Sequence, residues 1–253
     1  QSESVQKALS KQEIPLKQKH ARRLVLRTHH EKSCTLFWKQ ASRIQLDSSP
    51  VISWKFCHLL HRIIRDGHDS VLLESCRHLQ RMRSVGDKHL QNTSYGAPIS
   101  QYFKMLCARL EFHRQFTLIP GNLDVAENVM FSIQLDLNGS LEFSVYLLEL
   151  MENLLLLQRE VFDSLKTNII SGFIPRGQTL LAPLTLVILD ISTLYDLLVQ
   201  MLFHLHSVAN PDILVNHVQR FVNIFHDTKK FYDDVRATHY FKYLVTVPTL
   251  PEV

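Results

Sequence analysis

The sequence predicts an all-α fold, a single domain of stacked antiparallel helices forming a solenoid-like superhelical array, on three observations. First, Leu184, Val187, Ile188, Ile191, Leu194, Tyr195, Leu198, Met201, Leu202 and Leu205 recur at helical steps, giving an apolar stripe over 184 to 205. Second, Ser49 stands at a capping position, Pro50 at a first helical position and Gly67 just past an end, bracketing a helix from about Pro50 to Arg65. Third, Asn210, Pro211 and Asp212 read as a helix start reached by a short connection, as antiparallel neighbours require.

In chain order, helical patterns are expected over 17 to 28 and 33 to 43. The capped helix at 50 to 65 follows, burying Ile52, Phe56, Leu59, Leu60 and Ile63. Patterns at 70 to 83 and 99 to 114 come next. In MFSIQLDLNG, Phe131, Ile133, Leu135 and Leu137 alternate with other residues before an Asn-Gly pair, which is a strand and hairpin signal. No partner strand follows, so residues 116 to 140, with Pro120 and Gly121, are expected to be an irregular excursion between helices. A helix at 141 to 166 leads to a loop at 171 to 178. The stripe at 184 to 205 carries Leu186, Leu189, Leu197 and Phe203 on its other faces, predicting a core helix touched from several sides. Helices at 211 to 226 and 228 to 244 complete one domain over 1 to 253 without a detectable repeat.

Composition narrows the chemistry. Only 7 of 253 residues are glycine, and neither phosphate-loop pattern, G-x-G-x-x-G or G-x-x-x-x-G-K-[ST], occurs. There is no G-x-S-x-G, and Asp233 with Asp234 lies among surface-type residues, so no nucleophile with an adjacent base can be nominated and no catalytic residue is expected. The 14 histidines invite a metal hypothesis, but His58 and His61 have no carboxylate or thiol at zinc spacing, so neither metal nor cofactor is expected. Cys34, Cys57, Cys76 and Cys107 lack a C-x-x-C spacing and are expected as packed thiols in a reducing, cytoplasmic compartment. No uncharged run of membrane-spanning length occurs, Asp190 and Asp196 breaking the richest region. The start at Gln1 and the TLPEV ending are expected of a piece of a longer protein.

The net charge of +4 hides a strong asymmetry. Residues 1 to 110 carry 19 Lys and Arg against 8 Asp and Glu, while residues 111 to 253 carry 9 against 16. Such an asymmetry favours an anionic partner at the amino-terminal end, either nucleic acid or a membrane surface. The densest cluster is Lys7, Lys17, Lys19 and His20, with a helix expected to start near Pro15. Lysines at a helix start oppose its macrodipole, where carboxylates would be stabilising. A polyphosphate gives them a physical reason, because ammonium groups and first-turn amides converge on it. The cluster has no interleaved aromatic residues and matches no nucleic-acid motif, which disfavours nucleic acid.

Lys7, nine residues, then Lys17-x-Lys19-His20 resembles the K-x9-K-x-K-H phosphoinositide motif of the ANTH (AP180 N-terminal homology) domain. The segments KQKHARRLVLRTHHEK, WKFCHLLHRIIRDGHDSVL, LAPLTLVILD and YFKYLVTVPTLPE resemble the huntingtin-interacting branch of that family, over about residues 5 to 251. The chain departs from many ANTH domains at Leu9, where they carry Thr or Ser. The resemblance implies an ANTH/ENTH/VHS-like α-superhelix and a peripheral adaptor that binds phosphatidylinositol 4,5-bisphosphate headgroups at an exposed tip. It makes Lys7, Lys17, Lys19 and His20 the headgroup ligands; Lys11 is added from its proximity in sequence. It further implies the cytoplasmic leaflet of plasma-membrane clathrin-coated pits and endocytic vesicles as location, and epsin-type ENTH domains as partners. Clathrin and actin would be bound through regions outside this chain. The alternative reading is a helical protein-interaction domain whose basic end recognises an acidic partner without lipid.

Overall fold

A computed structural model describes residues 2 to 91 and 95 to 250, and among these every regular element is helical. In order they are α1 (Ser2–Ala8), α2 (Gln18–Glu31), α3 (Thr35–Ala41), α4 (Pro50–Asp66), α5 (Ser70–Cys76), α6 (Leu79–His89), α7 (Gly96–Gln115), α8 (Glu127–Gln134), α9 (Leu137–Thr167), α10 (Pro175–Leu181), α11 (Leu184–Val208) and α12 (Pro211–Ala237). Single 3-10 turns occupy Leu46–Ser48 and His239–Phe241. The helices stack largely in chain order, α2 on α4, α4 on α7, α7 on α9, and α9 on both α11 and α12. One hydrophobic core runs through this stack from Val5 to Phe241. Its amino-terminal part is aromatic, Phe37 stacking on Phe56 at 5.9 Å and Phe56 on Phe103 at 6.1 Å. Truncating such a ring to Ala costs about 3 to 5 kcal/mol.

The predicted helix α4 starts at Pro50 and stops at Gly67, whose N–H donates to the Ile63 carbonyl. Gly67 keeps an extended conformation rather than a left-handed one, and glycine is required there because a Cβ would collide with the Ile63 oxygen. Ser49 makes no side-chain cap. At the other end of the chain, Asn210 caps α12 by accepting the Asp212 N–H at 3.0 Å.

Several expectations need correction. The alternating segment is helical: Met130 is buried and Ile133 packs on the core, while Phe131 and Leu135 face solvent. Asn138 and Gly139 form the first turn of α9 rather than a hairpin, because the Asp136 carboxylate accepts both their amides. Within the expected excursion, 116 to 126 remains irregular and Leu135 and Asp136 form a short break between α8 and α9. The pattern at 70 to 83 divides at Arg77 and His78 into α5 and α6, and 211 to 226 continues unbroken to Ala237. Pro175 begins α10, so the loop at 171 to 178 shrinks to its first half. Leu189 and Phe203 leave α11 one solvent face, although Leu186 and Leu197 are buried as expected.

The region Pro175–Val208 is long and apolar enough to cross a membrane by composition. Within this fold α11 is instead a packed helix whose Asp190 is fully buried against three cationic or imidazole partners. The four cysteines are free thiols, three of them buried.

Candidate functional site

The basic cluster sits on α1, the loop after it, and the first turn of α2. Residues 2 to 8 form a helix because Val5 and Ala8 share one face, which packs with Leu9 into the core against α2 and α3. Lys7 lies in the last turn of α1 on its exposed side. The chain then turns through Lys11, which is exposed, and is anchored again by buried Leu16.

Lys17 is the N-cap of α2, in an extended conformation with no side-chain hydrogen bond to the amides that follow. Its carbonyl accepts the His20 N–H at 2.9 Å, which starts the helix without a capping side chain. Lys19 is exposed and His20 half-buried in the first turn, which contains no acidic residue. The end of α2 therefore presents both its unsatisfied amides and three basic side chains in one place. All five residues expected from the sequence fall on these two packed helices and their connection.

One functional neighbour escaped the sequence analysis. Lys55, in the second turn of α4, is only 2% exposed. Its ammonium donates to the Ser10 carbonyl at 3.0 Å, the Ser10 hydroxyl at 3.1 Å and the Gln12 carbonyl at 2.6 Å. It thus holds the loop between Lys7 and Lys17 from beneath. Burial, followed by the positive charge of Lys17, pushes its ammonium below the ordinary lysine value. The available signal was a lysine inside an apolar helical run, between Trp54 and Phe56. The same loop is tied to α10 by an ion pair of Glu13 with Arg176 at 3.8 Å.

The cluster lies on open surface, and the principal cavities are lined elsewhere. An apolar groove of about 400 Å³ between α2 and α3, for example, is bordered by Leu24, Arg27, Cys34 and Phe37.

The most reactive-looking group of side chains is sealed inside the stack. Asp190 accepts from His61 at 2.8 Å, pairs with Arg109 at 3.3 Å, and also takes a hydrogen bond from Arg65. The second nitrogen of His61 lies 2.9 Å from the Tyr102 hydroxyl. Burial would raise the Asp190 carboxyl, but Arg109, His61 and Arg65 outweigh it and hold it well below the carboxylate range. Burial lowers His61 despite Asp190, so the imidazole is neutral, donating to Asp190 and accepting from Tyr102. Both ring nitrogens are committed, and His61 and Asp190 are fully buried. The arrangement cross-links α4, α7 and α11. Burial, with smaller contributions from His61 and Arg62, also holds His58 at about 3. No cluster of three or more His, Cys, Asp or Glu among the described residues is placed to hold a metal ion.

Comparison with known proteins places this geometry in context. The ANTH domain family model matches residues 1 to 253. The chain is 44% identical to Huntington interacting protein related 1 of Caenorhabditis elegans over 99% of its length and 27% of that protein's. It is 38% identical to human Huntingtin-interacting protein 1, covering 100% of this chain and 24% of the relative. The chain thus spans about a quarter of the length of these relatives. Among solved structures, that of the endocytic adaptor complex AENTH superposes with a TM-score of 0.83 at 25% identity, over 98% of this chain and 97% of the other. A cryo-EM structure of helical ANTH and ENTH tubules on PI(4,5)P2-containing membranes gives 0.68 at 25% identity, over 99% and 94%.

Proposed function

The chain belongs to the ANTH domain family, and we propose that it is a non-enzymatic membrane adaptor module that binds phosphatidylinositol 4,5-bisphosphate headgroups through Lys7, Lys17, Lys19 and His20. Lys11 contributes charge from the edge of the site. The observation that carries this reading is the start of α2, where an uncapped helix end bears Lys17, Lys19 and His20 with no carboxylate in its first turn. An inositol polyphosphate satisfies that end twice, by accepting from free amides and by neutralising ammonium groups. Lys55 acts as a positioning residue, fixing the loop that sets Lys7 opposite Lys17.

The contiguous core supports treating 1 to 253 as one module. By analogy with its relatives, the module works on the cytoplasmic leaflet at clathrin-coated pits and endocytic vesicles, beside epsin-type ENTH domains. Clathrin and actin are then reached through other regions of a longer protein, which links coat to actin. The sealed His61–Asp190 pair supports a binding rather than a catalytic role, since no solvent or substrate reaches it.

The test is co-sedimentation with vesicles carrying different phosphoinositide isomers, against phosphatidylserine vesicles at matched surface charge. Preferential retention by the 4,5-bisphosphate isomer supports the reading. Equal binding to phosphatidylserine, or none to any vesicle, overturns it.

A further inference from the structure

We propose that the loop between α9 and α10 is a second, apolar membrane contact, which sets Ile169, Phe173 and Ile174 into the interfacial layer of the same lipid surface that the lysines engage. The inference rests on the headgroup reading above and adds a distinct element to it.

The loop exposes apolar side chains to an unusual degree. Ile169 is 92% exposed, Phe173 74% and Ile174 46%. Ile169 also occupies the left-handed region, with φ of 52°. The reason is the way α9 ends: the Ile170 N–H donates to the Leu165 carbonyl and the Ile169 N–H to the Lys166 carbonyl, a Schellman stop in which Ile169 takes the position that glycine or asparagine normally fills. A β-branched residue is disfavoured in that conformation. A fully solvated isoleucine there is therefore unfavourable for both backbone and side chain. Lys32 and Leu123 also have positive φ, but Leu123 is buried and Lys32 is polar. Ile169 alone among these three leaves an apolar side chain in solvent.

The loop holds its side chains outward by construction. The Ile174 N–H donates to the Ser171 carbonyl, and the Ser171 hydroxyl accepts the Phe173 N–H at 3.3 Å. The chain then folds so tightly that a Cβ on Gly177 would collide with the Ser171 oxygen. The Phe173 ring lies tilted against His239, with centroids 5.5 Å apart.

Position identifies the occupant as lipid. Arg176 pairs with Glu13 of the α1–α2 loop, and the Trp54 indole, one residue from Lys55, donates to the Thr179 carbonyl at 2.8 Å. The start of α10 therefore abuts the loop that carries Lys11. Phe173 is three residues from Arg176, at most about 11 Å along the chain. Exposed Lys166 and half-buried Arg176 bracket the apolar side chains along the chain, the arrangement of an interfacial anchor on an anionic leaflet.

The experiment uses phosphatidylcholine vesicles with a few per cent phosphatidylinositol 4,5-bisphosphate, and inositol hexakisphosphate as a soluble probe. In Phe173→Trp the new indole is read against Trp38 and Trp54, both buried. Quenching by lipids brominated in the acyl chain, only when the phosphoinositide is present, is expected. Phe173→Ser and Ile169→Gly are each expected to weaken vesicle binding by about threefold to tenfold, from partial burial of one large apolar side chain. Neither changes binding of the soluble probe, and Ile169→Gly raises the melting temperature while lowering vesicle affinity. An unquenched new indole in vesicle-bound Phe173→Trp protein, or wild-type vesicle affinity in both loop variants, overturns the proposal and leaves the lysine site standing. Failure of the lysine site appears separately, as unimpaired vesicle binding by Lys17→Glu/Lys19→Glu. Wild-type protein that binds no vesicle overturns both.

Discussion

The Lys55 ammonium donates to the Gln12 carbonyl at 2.6 Å, a buried link from the second turn of α4 to the loop that separates Lys7 from Lys17. A buried cation outside the proposed headgroup site thus anchors the loop between two residues assigned to it. Lys55→Met removes three hydrogen bonds and leaves the Ser10 and Gln12 carbonyls without this donor. A loss of about 1 to 3 kcal/mol of stability is expected from the unsatisfied carbonyls. Affinity for inositol hexakisphosphate falls as well, although Lys7, Lys17 and Lys19 remain. Calorimetry and thermal melting on the same variant check both; a destabilised variant with unchanged affinity would show that the link is structural only.

Binding strength and its salt dependence follow from the small number of charges. Each basic group near an anionic leaflet contributes about 1 kcal/mol, so one domain is expected to bind in the micromolar range or more weakly. Residues 2 to 14 supply no free amphipathic helix, because Val5, Ala8 and Leu9 are already buried in the core. Raising salt from about 0.1 to 0.5 M, which brings the Debye length below ~5 Å, is expected to release most of the protein from vesicles. The α9–α10 loop retains a minor fraction at most. Flotation across a salt series measures this, and undiminished binding at high salt contradicts an electrostatic site.

Acid stability provides a third check. Burial holds His58 at about 3, and burial with the Arg109 charge holds His113 at about 3, against an ordinary value of 6.5. These histidines bind protons in the unfolded chain before they do in the folded one. Stability is therefore full above pH 6.5 and falls as pH drops toward 3, by about 1.4 kcal/mol per pH unit for each histidine inside the window. Asp190, held low, protonates more readily when unfolded and adds to the loss at the acid end. Denaturant melts from pH 7 to 4 should show this slope, and His58→Gln should reduce it. An unchanged slope in that variant would remove His58 from the account.

The parts of this protein that were legible in its sequence are those written locally. Ser49, Pro50 and Gly67 bracket α4 because end signals act within one turn, and the α11 stripe persists over many turns. The basic cluster was visible because Lys7 to His20 is short and its main tie is one helix start. Phe131, Ile133, Leu135 and Leu137 misled because period-two alternation is also compatible with a short helix that exposes Phe131 and Leu135. Their Asn-Gly pair imitates a hairpin turn, although Asp136 caps it as a helix start. Lys55 and Arg176 act through partners 43 or more residues away, which no local pattern encodes. The loop at 171 to 178 was legible as a loop, but the exposure of Phe173 and Ile174 is set by the fold around them and not by any local pattern.

The central claim, that Lys17 and Lys19 at the start of α2 hold the phosphoinositide, is tested most directly by Lys17→Glu/Lys19→Glu in co-sedimentation with phosphatidylinositol 4,5-bisphosphate vesicles. Both side chains are exposed and cap nothing, so helical circular dichroism and melting temperature should stay close to wild type. Complete loss of vesicle binding by this folded variant is the predicted result. Binding retained at wild-type strength would contradict the account and move the headgroup site away from α2.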